Sequence, residues 1–351
     1  MGAYNVGDMA EKMIFGNQST SDRLGYLEQL RMRTGVEEFV FEKDWWVTVI
    51  LRALFRCGCA GSLMFKGGTS LSKAWGLIDR FSEDVDLGID REFLGFGGEL
   101  SKTQISDKLR RAACSFVRER LQNDLREQLI ADGIEAGKFE VRVNITSVTT
   151  TDPEVIEVEY VPSMGEHAYL KHVVKIEVSG RSMHEPVKGC ALRTMITEAH
   201  PEGPFSEEEF VVMAVVPERT FLEKVMLLHE EFAKPMSDVR AERMSRHLYD
   251  IYRIMQTTIA GKALGDEALY RSVLEHRRKF VGLRGFDYDS LYTDTLSLEI
   301  PAEVTDAWHQ DYEHMCRTMI YGEHPSWDEL MAKMRELNER IRGLGYRKVE
   351  G

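Results

Sequence analysis

Lys66-Gly67-Gly68-Thr69-Ser70-Leu71-Ser72-Lys73-Ala74-Trp75-Gly76-Leu77-Ile78-Asp79-Arg80-Phe81-Ser82-Glu83-Asp84-Val85-Asp86-Leu87 runs from a glycine pair through a helical pattern into two aspartates one residue apart. The apolar run Leu63-Met64-Phe65 ahead of it reads as a buried strand, Gly67-Gly68 as a tight turn, and Thr69 to Leu77 as a helix after that turn. Glycines let a phosphate approach the backbone, and the unpaired N–H groups at a helix start face the anion. Thr69 adds a hydroxyl donor. Beyond the helix, Val85, Leu87 and Ile89 alternate with Asp84, Asp86 and Gly88, the period-2 pattern of a half-buried strand. Both aspartates therefore share a face, their Cα atoms roughly 6.5 to 7 Å apart. Two carboxylates so placed can converge on one Mg²⁺ or Mn²⁺ ion, or on a metal pair.

A Gly-Gly turn alone is usually only a turn, and an Asp-x-Asp alone is usually a solvated strand edge. Turn, helix, Arg80-Phe81-Ser82 and acid pair in succession form the order that phosphoryl transfer needs, which sets this stretch apart from either motif by itself.

Lys171 to Ser179 alternates so that Val174, Ile176 and Val178 face one way while Val173, Lys175, Glu177 and Ser179 face the other. Glu177 on that more polar face is the preferred third carboxylate, able to complete a metal site and take the proton of an attacking hydroxyl. Glu157 and Glu159 are its alternatives, and an ordinary exposed strand glutamate is the plain reading of each.

Further out, the helix after Pro217 carries Glu218, Arg219, Glu223 and Lys224 ahead of the apolar run Val225 to Leu228. Lys224 is the residue there that can snorkel from a buried stretch towards a triphosphate, although most helix lysines are simply exposed. In Arg246-His247-Leu248-Tyr249-Asp250-Ile251, Asp250 interrupts an otherwise apolar side, and a buried acid needs a partner, which Lys224 or Arg246 can supply. His172, His229 and His247 show no metal-type pairing and read as ordinary surface or core histidines.

The chain has 351 residues, 43 % of them hydrophobic, enough for two or three domains with a sizeable core. Residues 1–60 read as helices, Leu24 to Met32 and Phe39 to Phe55, packed on the rest of the chain. Residues 61–216 mix a long helix near Thr103 to Leu129 with strands at Phe139 to Ile145, Val155 to Tyr160 and His172 to Val178. Residues 217–351 are helical, with segments at Phe221 to Phe232, Val239 to Met255, Glu267 to Phe280, Ala302 to Met319 and Trp327 to Ile341. The class is therefore α+β with a C-terminal helical domain.

With 45 Lys and Arg against 58 Asp and Glu, the net charge of −13 argues against indiscriminate nucleic-acid binding. Any RNA contact must be local, at Arg110-Arg111 with Arg118 and Arg120, at Arg277-Arg278-Lys279, or at Arg340, Arg342, Arg347 and Lys348, each by default a solvated helix face. Cys57, Cys59, Cys114, Cys190 and Cys316 form no disulfide framework or zinc pattern, which suits a reducing cytoplasm. No run approaches the ~18 apolar residues of a membrane span, and Met1 to Met13 lacks the core of a secretory signal.

At these residues the chain resembles the AbiEii family of nucleotidyltransferases, toxins of type IV toxin–antitoxin and abortive-infection systems. The resemblance begins at Glu42-Lys43-Asp44-Trp45-Trp46 and peaks through the glycine segment and Arg80-Phe81-Ser82-Glu83-Asp84-Val85-Asp86-Leu87. It returns at Glu223-Lys224, Arg246 to Ile251 and Asp311 to Trp327. It implies a DNA-polymerase-β-like nucleotidyltransferase core followed by a helical domain. Gly67, Gly68 and Thr69 would cradle the triphosphate. Ser82, Asp84 and Asp86 would form the metal-binding catalytic segment, and Lys224 and Asp250 would be required from the helical domain. Glu177 is the weaker correspondence. Lys66 and Arg80 count with the glycines and Lys224 as nucleotide-binding. Some members place an acid where this chain has His247.

The implied reaction moves a nucleoside monophosphate from an NTP, releasing pyrophosphate, to the 3′ end of tRNA, so blocking translation, with a separate cognate antitoxin protein as partner. Transfer to a protein or a small hydroxylated molecule is the enzymatic alternative, and the acidic charge favours it somewhat. A non-catalytic nucleotide-sensing module is the other alternative, against which Asp84, Asp86 and Lys224 together weigh.

Overall fold

The computed structural model describes residues 13–82, 84–143, 154–165, 172–181 and 185–348. Glu83, Lys171 and the end of the strand expected up to Ile145 lie outside them.

Seven strands among the described residues form one mixed sheet: β1 (Leu63–Lys66), β2 (Asp84–Ile89), β3 (Phe139–Val143), β4 (Glu154–Tyr160), β5 (Val173–Ser179), β6 (Val187–Leu192) and β7 (Phe210–Val215). Their order is β3-β4-β5-β2-β1-β7-β6, so β2 is the central strand, antiparallel to β1 and parallel to β5.

The α-helices among the described residues up to the last strand are α1 (Thr20–Thr34), α2 (Glu38–Leu54), α3 (Gly67–Lys73), α4 (Arg110–Phe116), α5 (Gln122–Ala131) and α6 (Met195–Ala199), with π-helical segments Gln104–Leu109 and Val117–Leu121 making α4 and α5 parts of one continuous helix. Ser19 starts α1 by accepting from the Asp22 N–H at 3.2 Å, and Gly35, with φ +75°, ends it. The helix α2 is apolar on nearly every side because the sheet covers one side and α1, α5 and α6 the others. Its buried charges are paired: Glu42 accepts from Arg23 at 3.0 Å and from the Ser163 N–H at 2.8 Å, while Asp44 accepts from Lys73 and from the Met195 N–H at 2.7 Å.

After β7 come α7 (Pro217–Phe232), α8 (Ser245–Met255), α9 (Thr258–Gly265), α10 (Glu267–His276), α11 (Thr305–Thr318) and α12 (Trp327–Arg342). Pro217 opens α7, where its missing N–H costs nothing. Ser326 and Glu329 cap α12 reciprocally. No helix among the described residues is long and apolar enough to cross a membrane.

Two large hydrophobic cores and a small third cluster of Leu100, Ile105, Leu109 and Phe280 result among the described residues. One large core gathers the sheet, α1, α2 and α5, from Phe15 to Ala214. The other gathers the helices after Pro217, and into it reach Leu71 from α3 and Ile78 from the loop beyond it. Each of these two is essentially fully buried, which stabilises the placement of the segment by roughly 1.5 to 3 kcal/mol per side chain. The segment between Lys66 and Asp84 is thus the seam between sheet and helices.

Some elements differ from expectation. There is no separate Gly67-Gly68 turn: Gly67, at φ +76°, turns the chain within one residue and α3 starts there, ending at Lys73 rather than Leu77. The helix expected from Val239 begins only at Ser245, because Asp311 on α11 accepts from the Arg243 N–H at 2.6 Å and the Ser245 N–H at 3.0 Å and so fixes its start. The strands β6 and β7 and the helices α6 and α9 are not anticipated from the sequence.

Candidate active site

The site is built on β2. Val85 and Leu87 are fully buried, and Asp84 and Asp86 lie on the opposite face, as the alternation requires. In register, Asp86 has Lys66 of β1 on one side and Glu177 of β5 on the other, while Asp84 faces Lys175. Glu177 is therefore the acid brought beside the aspartates. Glu157 lies one strand further out, opposite Lys175, and Glu159 is engaged by Arg142.

The acids are electrostatically uncomfortable. Burial raises the pKa of Asp86; Lys66 opposes this, and the charge on Asp84 adds to it. Burial also raises Glu177, and Asp86 and Asp84 push it further. Among the described residues no trio of His, Cys, Asp and Glu converges as a complete metal cage. The donor set still fits Mg²⁺, which usually binds through one or two carboxylates, waters and substrate phosphates rather than an all-protein cage. Adjacent carboxylates with raised pKa values gain most from such an ion.

Both glycines are demanded by close approach. A Cβ on Gly67 would stand 1.8 Å from Oδ2 of Asp86, and one on Gly68 would stand 2.5 Å from Nη2 of Arg80 and 3.4 Å from Oγ of Ser82. The Thr69 hydroxyl, expected to meet a phosphate, instead donates to the carbonyl of Asp84 and ties α3 to β2.

Arg80 and the helical domain supply the other half. The Arg80 guanidinium, 2 % exposed, donates from Nε to Oδ1 of Asp250 at 2.6 Å and from Nη2 to Oδ2 at 2.7 Å. Lys224 of α7 joins the same carboxylate, Nζ to Oδ2 at 2.9 Å, and lies 3.2 Å from Nδ1 of His247. Burial alone would raise the pKa of Asp250, but Arg80 and Lys224 outweigh it and hold Asp250 well below the usual carboxylate range. Burial lowers Lys224, Asp250 opposes that, and Arg80 reinforces it. The partners of Asp250 are thus Lys224, as one of two sequence candidates, and Arg80, which sequence reasoning assigned to the nucleotide. Arg246 is not hydrogen-bonded to Asp250, and its Nε is buried without a partner.

The loop carrying Arg80, Phe81 and Ser82 is clamped by the chain after α11. The Phe81 N–H donates to the Met319 carbonyl at 2.6 Å, the Tyr321 N–H to the Asp79 carbonyl at 3.0 Å, and Arg253 pairs with Asp79 at 2.7 Å. The sequence signal for this clamp is faint: Gly322, where a Cβ would sit 2.8 Å from that of Asp79. A half-enclosed cavity of about 240 Å³ adjoins the loop, with Thr69, Lys73, Phe81, Ser82, Glu198 and Tyr321 in its wall but neither Asp84 nor Asp86. A roomier cavity of about 590 Å³ near His229 and Phe286 contains none of the candidate residues.

Most of the basic clusters singled out in the sequence are ion-paired internally. Arg118 meets Glu154 at 3.0 Å and Arg277 meets Glu230 at 2.5 Å, while Arg278 and Lys348 share Asp289, each at 2.7 Å.

A family model described as nucleotidyl transferase AbiEii toxin, type IV TA system, matches residues 49–333. The match contains the glycine segment, Asp84, Asp86, Glu177, Lys224 and Asp250, and begins after Glu42-Lys43-Asp44-Trp45-Trp46. No curated protein matches the chain.

Proposed function

The chain belongs to the AbiEii nucleotidyl transferase toxin family of type IV toxin–antitoxin systems, and from that premise we propose a metal-dependent enzyme that moves a nucleoside monophosphate from an NTP to the 3′ end of tRNA. The observation that carries it is the contact of Gly67 with Asp86: the backbone after β1 lies so close to the carboxylate that only glycine fits. A triphosphate on that backbone would have its phosphates beside the acids.

Asp84 and Asp86, with Glu177, would hold Mg²⁺ or Mn²⁺, which when bound supplies charge stabilisation to the phosphates of the reacting nucleotide. Lys66 and Lys224 bring positive charge to the same place from β1 and α7. Arg80 and Asp250 hold Lys224 and the Ser82 loop against each other across the seam. Glu177, paired in register with Asp86, takes the proton from the attacking hydroxyl. The hydroxyl oxygen then forms its bond to the α-phosphorus as the bond to pyrophosphate breaks. Blocked tRNA ends would stop translation, and a cognate antitoxin protein would restrain the enzyme.

One observation favours a second acceptor class. The cavity beside Ser82 is small, and the basic clusters are mostly committed to internal pairs, which suits a small hydroxylated molecule better than a long RNA. Incubating the protein and its Asp86→Ala variant with Mg²⁺, total tRNA and each α-labelled NTP separates the two. Label on tRNA from the unaltered protein alone supports tRNA transfer. Nucleotide binding without label on tRNA moves the acceptor to the second class, and label from both proteins removes the assignment of Asp86.

A further inference from the structure

The Lys224 ammonium has three N–H bonds and no acceptor of its own. One reaches Oδ2 of Asp250 at 2.9 Å, and the second lies 3.2 Å from Nδ1 of His247, one turn of α8 ahead of Asp250. No other partner is found for Lys224 among the described residues. Because an ammonium can only donate, Nδ1 of His247 must be the bare nitrogen of a neutral ring whose proton is on Nε2. An imidazolium would set N–H against N–H.

We propose that His247 is a positioning residue for nucleotidyl transfer, accepting from Lys224 through Nδ1 so that His247 and Asp250 fix two of the ammonium's N–H bonds and leave the third for a phosphate oxygen of the NTP. This rests on the NTP-dependent function proposed above. Asp250 alone would leave Lys224 free to swing about one bond; a second acceptor on the same helix, three residues away, fixes its direction.

The charge around His247 fits a neutral acceptor. Facing it are Lys224 from α7, Arg80 from the loop ahead of β2, and Arg246 and Asp250 from α8 itself, three cations to one carboxylate. Burial, and then Lys224 and Arg246, hold its pKa well below the ordinary histidine value, so it remains neutral across the physiological range. A carboxylate at this position would also accept, but would add a negative charge next to Lys224 and compete with phosphate for it.

The test uses three variants and the free protein. Asparagine carries an acceptor where Nδ1 stands; glutamine places its amide near Nε2 instead, and leucine carries none. His247→Asn is expected to restore NTP affinity to within about threefold of the unaltered protein, while His247→Gln and His247→Leu weaken it about tenfold, the loss of one hydrogen bond to a charged group. In a Lys224→Ala background His247→Leu should change affinity no further. Equal affinity in all three variants, or an undiminished effect of His247→Leu without Lys224, overturns the proposal. Nitrogen-15 NMR of the nucleotide-free protein at pH 7 reads the ring directly: a protonated Nδ1 overturns the assignment whether or not NTP binds. Failure of the unaltered protein to bind any NTP, with Nδ1 bare, removes the proposed function and the phosphate role while leaving the Lys224 contact standing.

Discussion

Arg80 and Asp250 face each other across the seam between sheet and helices in a two-point ion pair, 2.6 Å and 2.7 Å, with both side chains essentially out of water. Lys224 shares the same carboxylate. Removing one member of such a group leaves charges buried without compensation, which costs about 3 to 5 kcal/mol. Asp250→Asn, which strands two cations at once, is expected to lose stability in that range by urea denaturation, with transfer activity lost as well. A midpoint equal to that of the unaltered protein would show that the group is not buried in solution.

The same carboxylate sets an acid limb of stability. A folded-state pKa below the unfolded value means that the unfolded chain takes up the proton first as pH falls. The contribution of Asp250 is therefore complete above the unfolded carboxylate value of about 3.9 and is lost as pH falls towards the folded one. The stability difference between the protein and Asp250→Asn should stay flat from about pH 7 to 5 and shrink below about pH 4. A difference that stays undiminished below about pH 4 contradicts the ion-pair account.

The alternation around Val85 makes Asp84 and Asp86 legible as a pair, and the apolar interruption at Asp250 makes a buried acid legible; both are local patterns that a one-dimensional string preserves. The identity of that acid's first partner is not. Arg80 lies 170 positions away and sits beside Phe81 and Ser82 in a run that looks entirely directed at a nucleotide. The edge strand β6 reads Val-Lys-Gly-Cys-Ala-Leu, with a glycine and a lysine that dilute its period, so pairing with β7 and not propensity makes it a strand. His247 reads as an ordinary helix histidine because its only sign of a role is a nitrogen brought next to Lys224 by packing of α7 on α8.

Asp86 carries the opposite sign from Asp250. Burial and Asp84 raise its folded pKa, so its ionised form opposes folding as pH rises through the carboxylate range. Asp86→Asn in the absence of divalent cation is expected to melt above the unaltered protein at pH 7 while losing transfer. Adding Mg²⁺ should raise the midpoint of the unaltered protein and leave that of Asp86→Asn nearly in place, because an ion bound only by the folded state stabilises it. Equal Mg²⁺ shifts in the two proteins would place the ion away from Asp86.

Gly67 and Gly76 separate backbone strain from site geometry. Both hold positive φ, +76° and +60°, so alanine at either is expected to cost about 1 to 2 kcal/mol through its Cβ alone. They differ in what that Cβ meets: nothing within 4 Å at Gly76, but Oδ2 of Asp86 at 1.8 Å at Gly67. Gly67→Ala must therefore also push the carboxylate off its position between Lys66 and Glu177, whereas Gly76→Ala leaves it where it is. Gly67→Ala is expected to lose at least as much stability as Gly76→Ala by thermal unfolding, and only Gly67→Ala should lose Mg²⁺ response and nucleotide transfer. If both lose transfer equally, strain in the seam rather than the placement of Asp86 governs activity, and the glycine's closeness to the acid is packing alone.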